Sequence, residues 1–195
     1  MGALLFYGRA VDNKLLVAIN AIGIQQATAT EATNEAVATL LDYLATYPND
    51  GTLYHASDMV LAAHSDAGFH NESNGRSHAG AHIFLSENDP FPRWNGAILT
   101  ITEVIKFVMT SAAEVELGAL FIAAQKLVPL CQTLVEMGWP QPPTPVQTDN
   151  TTATGVVNKT LVSNKLKSMD LRFHWLRCCA AQDQFRVYWD KGWNN

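Results

Sequence analysis

Three short apolar runs, Met59 to Asp66, Ala79 to Ser86 and Gly96 to Glu103, follow one another with turn-forming Asn, Gly, Ser and Pro between them. This spacing predicts three consecutive strands with tight connections, an antiparallel meander. A long Ala/Leu-rich segment from about Ser111 to Glu136 then reads as a helix, with Pro129 as the point where a missing amide hydrogen and a ring clash would bend or break it. The Pro-rich stretch from Pro140 to Pro145 is a stiff connector into a short strand, Thr144 to Thr148. A helix is expected from about Asn150 and another over about Lys165 to Ala181, the latter with Leu171, Trp175 and Cys178 on one face. Phe185 to Trp189 reads as a last strand. The order is three strands, helix, strand, helices, strand, an α/β arrangement.

Ahead of the strands, Leu15, Leu16, Ile19 and Ile22, and later Val37, Leu40, Leu41 and Leu44, recur at three- and four-residue intervals. Two helices follow from that period, with Thr28, Thr30 and Glu31 as the cap region between them and Tyr47-Pro48-Asn49-Asp50-Gly51 as the stop. Residues 1-56 are therefore expected to form a helical hairpin or part of a bundle, and residues 57-195 a separate α/β domain. With 195 residues and 48% hydrophobic content, the chain has material for one good core and a smaller appended unit. No run approaches the roughly eighteen apolar residues of a membrane helix, and the N-terminus lacks a secretory pattern. Cys131, Cys178 and Cys179 form neither an even disulfide framework nor a paired C-x-x-C spacing, which suits a reducing compartment.

Three carboxylates stand in distinct local settings: Asp66 in His64-Ser65-Asp66-Ala67-Gly68, Glu116 in Ala113-Glu114-Val115-Glu116-Leu117, and Asp149 in Gln147-Thr148-Asp149-Asn150. Asp66 and Asp149 each close a strand-like run, and Glu116 lies inside the long helix. A fold that brings two strand ends against that helix concentrates three acidic oxygen donors, a costly arrangement unless a hard divalent cation neutralises them. Taken singly, Asp149 reads equally as a helix cap, Asp66 as a turn acid and Glu116 as a solvated helix residue. Glu114 competes with Glu116, because residues two apart on a helix point about 200° away from one another and only one of them faces a given site.

The net charge of -5 argues against a strong general nucleic-acid binder. From Lys159 onward, however, seven Lys/Arg stand against three acids, which fits either a phosphate-contacting surface or an ordinary solvated face. His64, His70, His78 and His82 crowd around the first hairpin, but on a strand His78 and His82 stand about 13 Å apart, too far to share a transition metal. Core packing is the expected place for Trp175 and Trp189, and His174 is expected to pack or cap rather than act in chemistry.

Four motifs in order carry a family resemblance. They are Ser65-Asp66-Ala67 at a strand end, Ser111 to Leu120 (SAAEVELGAL), the pair Asp149-Asn150 after a short strand, and Lys167 to Arg177 (KSMDLRFHWLR). Together they resemble the ribonuclease H domain of Ty1/copia-type retrotransposon polyproteins. Gly2 to Tyr7 (GALLFY) and Leu40 to Leu44 (LLDYL) are similar to the connection segment just upstream in such polyproteins. The resemblance implies a ribonuclease H-like mixed five-stranded sheet flanked by helices, preceded by the helical hairpin. It implies magnesium-dependent endonucleolytic cleavage of the RNA strand of an RNA/DNA hybrid, with Asp66, Glu116 and Asp149 as catalytic metal ligands for two Mg2+ ions, or Mn2+ in their place. These would activate a water for in-line attack and stabilise the leaving oxygen. Asn150, Lys167 and Arg172 are the implied nucleic-acid contacts, with recognition through 2'-hydroxyl and backbone groups. The implied partner is the reverse transcriptase polymerase domain of the same polyprotein, no membrane is involved, and the setting is a cytoplasmic retroelement particle or the nucleus. In the family the last strand leads into a helix start carrying a fourth carboxylate, so the C-terminus reads as truncated. A noncatalytic retroelement fragment, acting as a nucleic-acid-binding or assembly module, stays open as a different class.

Overall fold

The computed structural model describes residues 2–71, 75–159 and 171–191, which fall into two compact units, Met1–Tyr54 and His55–Asn195.

The first unit has three α-helices, α1 (Gly2–Ala10), α2 (Leu16–Ile24) and α3 (Glu31–Thr46), one more than the periodicity delimited for a helical hairpin or part of a bundle. The extra helix α1 lies close against α2 because Gly8 carries no side chain: a Cβ there would sit 3.0 Å from the Ile19 Cδ1 and 3.1 Å from the Leu16 Cδ2. In the link between α1 and α2, Asp12 caps a 3-10 turn over Asn13–Leu15 by accepting the Lys14 amide at 3.1 Å. Leu15, Ile19, Ile22 and Leu40 make the small core of the unit, with Leu4, Tyr7 and Val37 packed on it. The break before α3 is a Thr cap, in which the Thr30 amide donates to the Thr33 Oγ1 at 3.0 Å.

The second unit is built on five strands, β1 (Val60–Gly68), β2 (His78–Ser86), β3 (Ala97–Val104), β4 (Thr144–Thr148) and β5 (Phe185–Trp189), and three helices, α4 (Ala112–Glu136), α5 (Thr151–Val157) and α6 (Leu171–Ala181). The sheet order is β3-β2-β1-β4-β5. β1, β2 and β3 form the antiparallel meander, and β4 and β5 join parallel to β1. A mixed sheet results, as expected. The parallel half needs crossovers, and α4 supplies the first of them between β3 and β4.

β1 is buried on both faces, which explains its nearly continuous apolar sequence. Leu61 and Ala63 join Ile83, Leu117, Leu120 and Leu127 in the main core on the helix side. His64, on the alternate face, packs edge-on against Trp94, ring centroids 4.2 Å apart, and against Phe84 at 5.2 Å. The loop between β2 and β3, which carries Trp94, thus covers that end of the second face.

α4 is one continuous helix through Pro129, so of the expected bend or break the break does not occur. One missing amide removes one hydrogen bond, and Leu127 and Leu134, on either side of Pro129, are both anchored in the core. By length and composition α4 would also suffice to cross a membrane, contrary to the sequence count, but its buried residues belong to the main core. On α6 the buried face is Phe173, Leu176 and Cys179. Leu171 and Cys178 are exposed and so is His174, a correction to the face read from spacing: an α-helix offers several three-to-four stripes, and only the neighbours choose among them. Trp175 does pack inward, edge-on to Phe121 of α4 with centroids 5.5 Å apart. Trp189, expected in the core, is 43% exposed. The expected start of α6 at Lys165 lies outside the described residues.

Candidate metal centre

Parallel pairing sets two of the acids side by side. His64 of β1 stands opposite Gln147 of β4, so Asp66 and Asp149 follow two residues further along adjacent strands, at the ends of both. Glu116, on the first turns of α4, comes from the layer packed on β1. Oxygen atoms of Asp66, Glu116 and Asp149 lie within 4.8 Å of one another. Asp66 and Asp149 are exposed and Glu116 is buried, so the cluster opens to solvent at the strand ends and is closed at its helix side.

That asymmetry governs its electrostatics. Burial, reinforced by the negative charges of Asp66 and Asp149, pushes the Glu116 carboxyl up to about 8, opposed by a backbone hydrogen bond at Ala67. Its Oε2 is buried without a hydrogen-bond partner, an arrangement that native proteins rarely leave unrelieved. A hard divalent cation would relieve both penalties at once: it pairs with three carboxylates and occupies the open lone pairs of Glu116. The all-oxygen donor set suits Mg2+, Mn2+ or Ca2+ rather than a soft transition metal. The residues present therefore fit a divalent ion.

Local structure explains why Glu116, and not Glu114, reaches the cluster. Ser111 caps α4, accepting the Glu114 amide at 3.3 Å. Glu114 folds back, and its Oε2 accepts both the amide and the hydroxyl of Thr110 at 2.7 Å. Ser111-Ala112-Ala113-Glu114 is thus a capping box with its return bond displaced by one residue. The same Ser-x-x-Glu spacing is visible in the sequence and is a local signal that could have separated the two acids, which the sequence reading left in competition. A similar division of labour holds at the other strand end: Asn150 is the cap of α5, its Oδ1 accepting the Ala153 amide at 3.0 Å, which leaves the neighbouring Asp149 carboxylate for the cluster. Trp189, which sequence reasoning placed in the core, donates its indole N–H to the Asp149 carbonyl at 2.9 Å. No local pattern announces that bond; it depends on β5 lying beside β4 with Trp189 opposite Thr148.

The remaining expected contacts are placed differently. The Arg172 guanidinium lies 3.8 Å from the centre of the Phe107 ring, tying α6 to the connection between β3 and α4. Lys167 lies outside the described residues. The four histidines do not converge on one point: His64 and His82 stand opposite one another across β1 and β2 and both pack on Trp94, but His82 Nε2 meets the Asn95 carbonyl at 2.8 Å, His78 Nε2 meets the Thr102 Oγ1 at 2.7 Å, and His70 stacks on Phe69. Burial holds His64 well below its ordinary value, at about 4. Among the described residues the acid trio is the one group of three metal-ligating side chains brought together.

No family model matches the chain. In sequence it is similar to the retrovirus-related Pol polyprotein from transposon TNT 1-94 of Nicotiana tabacum, 25% identical over 153 residues, which is 78% of this chain and 11% of that polyprotein. The chain thus spans about a tenth of the length of the curated relative it matches. In structure it is similar to LC11-RNase H1, isolated from compost by a metagenomic approach, with a TM-score of 0.53 and 12% identity over 70% of this chain and 88% of that one. The same enzyme crystallised with an RNA/DNA hybrid aligns with a TM-score of 0.50 and 13% identity, over 69% of this chain and 88% of that one. In sequence, then, the chain is similar to a retrotransposon Pol polyprotein, and its fold is that of ribonuclease H.

Proposed function

We propose that this chain is a ribonuclease H-type endoribonuclease that hydrolyses the RNA strand of RNA/DNA hybrids in retroelement reverse transcription, with Mg2+ as its cofactor. The observation that carries the reading is the convergence of Asp66, Glu116 and Asp149 at the open ends of two parallel strands. Asp66, Glu116 and Asp149 would hold two ions, Mg2+ or Mn2+ in its place. When bound, the ions supply Lewis-acid stabilisation of phosphoryl oxygens and lower the pKa of bound water.

The chain's own residues do the rest. Exposed Asp66 and Asp149 present their carboxylates toward the side from which a duplex arrives, and buried Glu116 closes the site from behind. The capping of α4 by Ser111 and Glu114 and the bond from Trp189 to the Asp149 carbonyl keep two of the three carriers in place, and such preorganisation is what positions a phosphate for in-line attack. Similarity to a Pol polyprotein supports a polymerase domain of the same polyprotein as partner, and a cytoplasmic retroelement particle or the nucleus as the place of action.

The test is cleavage of a labelled RNA/DNA hybrid in Mg2+ and in Mn2+ by this chain and by Asp66→Asn. Cleavage lost in a folded Asp66→Asn variant is the expected result. Cleavage retained in that variant would remove the metal site from the mechanism, and hybrid binding without any cleavage by the unaltered chain would favour a noncatalytic binding module.

A further inference from the structure

Gly80 occupies the middle of a strand that gives it no internal reason to lack a side chain. It lies in β2, between β1 and β3, where glycine weakens a strand by its entropy and its missing packing. Nothing among the described residues demands it. Among the described residues, a Cβ at Gly80 would meet only the Asp66 carbonyl oxygen, at an ordinary 3.7 Å. Its φ is not in the left-handed region that favours glycine, and the irregularity in the pairing of β2 with β3 falls at Ile83 and Phe84 instead. Two other glycines of this unit differ: a Cβ at Gly68 would fall 1.9 Å from the Asn71 amide, and one at Gly118 would fall 2.8 Å from the Met109 Cε. Those positions are closed from within. Gly80 is open.

The space it opens lies beside the metal centre. Gly80 is directly opposite Asp66 on one side and Thr102 on the other, so Asp66, Gly80 and Thr102 form a row across one face of the sheet. His78, two residues along β2 on the same face, is bonded through Nε2 to the Thr102 Oγ1 at 2.7 Å, which fixes a polar pair at the far end of the row. Gly80, His78 and Thr102 are all partly solvent-accessible, unlike His64 further along that face. At the near end stands the acid cluster, whose Glu116 Oε2 is buried and unpartnered. An isolated glycine within a strand commonly marks close approach of a ligand or a backbone.

We infer that Gly80 is a clearance position over which the sugar-phosphate backbone of the RNA/DNA hybrid passes in close contact as it enters the metal centre, with Thr102 and His78 flanking its path. The inference rests on the proposed function and adds a substrate-positioning residue to it. A side chain at Gly80 would project from the sheet into the volume the strand occupies, without disturbing the protein itself.

The experiment compares the full chain with Gly80→Ala and Gly80→Val in three measurements: thermal unfolding, Mn2+ binding without nucleic acid, and affinity for an RNA/DNA hybrid in Ca2+. The expected pattern is unchanged or raised thermal stability, unchanged Mn2+ binding, and hybrid affinity lowered about threefold by Ala and at least about tenfold by Val. A folded Gly80→Val variant with the hybrid affinity of the unaltered chain overturns the inference while leaving the proposed function intact. Loss of Mn2+ binding in step with hybrid binding also overturns it, since Gly80 would then act through the acids. Absence of hybrid binding by the unaltered chain refutes the proposed function and the inference together. If Val prevents folding, the Ala variant decides alone, between a threefold loss and none.

Discussion

Replacing Glu116 with Gln should remove a large part of the way this protein's stability responds to pH when divalent cations are absent. Burial together with the charges of Asp66 and Asp149 moves the Glu116 carboxyl from an ordinary 4.5 to about 8. That difference corresponds to at most about 5 kcal/mol between its ionised and neutral forms. Between those two values the folded chain retains a proton that the unfolded chain has released, so the native state binds more protons and stability falls as pH rises through this window. The stabilisation is complete below about 4.5 and gone above about 8. Gln is uncharged throughout and keeps the shape, so the variant should lack this component. Urea unfolding in EDTA from about pH 5 to about pH 8 should show the unaltered chain losing several kcal/mol relative to Glu116→Gln, up to the limit of about 5. Millimolar Mg2+ or Mn2+ should flatten the slope of the unaltered chain, because an ion bound only by the folded state stabilises the ionised carboxylate. Parallel pH profiles for the two proteins in EDTA would refute the electrostatic reasoning.

The other expectations concern residues around the same centre. Asp66→Asn removes one of the charges that raises Glu116, so the folded variant should be at least as stable in EDTA as the unaltered chain and should cleave hybrid at least about a thousandfold more slowly, measured by single-turnover assay. Glu114→Ala takes away the acceptor of the Thr110 amide and hydroxyl, and should lower stability by about 1 kcal/mol and slow cleavage far less than Asp66→Asn does, because it loosens the helix start that carries Glu116 without removing a ligand; a variant that unfolds normally but cannot cleave would mean that Glu114 is the metal ligand. Trp189→Phe keeps an aromatic side chain, smaller than the indole, and deletes the N–H donor to the Asp149 carbonyl, which should cost at least about 1 kcal/mol and weaken Mn2+ binding. Equal Mn2+ affinity in the two proteins would reduce Trp189 to a packing residue.

Much of the fold was legible because its signals are local. Five strands were delimited to within a residue or two by turn residues and by short apolar runs, and β4 and β5 were read at their observed bounds. Asp66, Glu116 and Asp149 stood out through motif order, each equivocal alone. Where reading failed, the deciding interaction lay outside the segment being read. The buried stripe of α6 was misplaced because periodicity permits several faces, and packing in the main core, not spacing, selects Phe173, Leu176 and Cys179. Pro129 was expected to bend or break α4, and the helix is not broken there because core anchorage on both sides outweighs one lost hydrogen bond. Glu114 and Glu116 were separable in principle, since the Ser111-x-x-Glu114 box is a local device, but its weight was plain only once the cap bonds were seen.

Turn chemistry, apolar periodicity and the order of acidic motifs depend on residues close in sequence, so the sequence by itself determined the strand positions, the long helix and the candidate acids. The tertiary structure alone decided that β4 lies beside β1 in the register that joins Asp66 to Asp149, that Glu116 is the buried member whose proton affinity is raised, that Trp189 holds the Asp149 backbone, and that Gly80 opens a path beside them. Each of these is set by segments distant in sequence, through the burial and sheet register in which they meet.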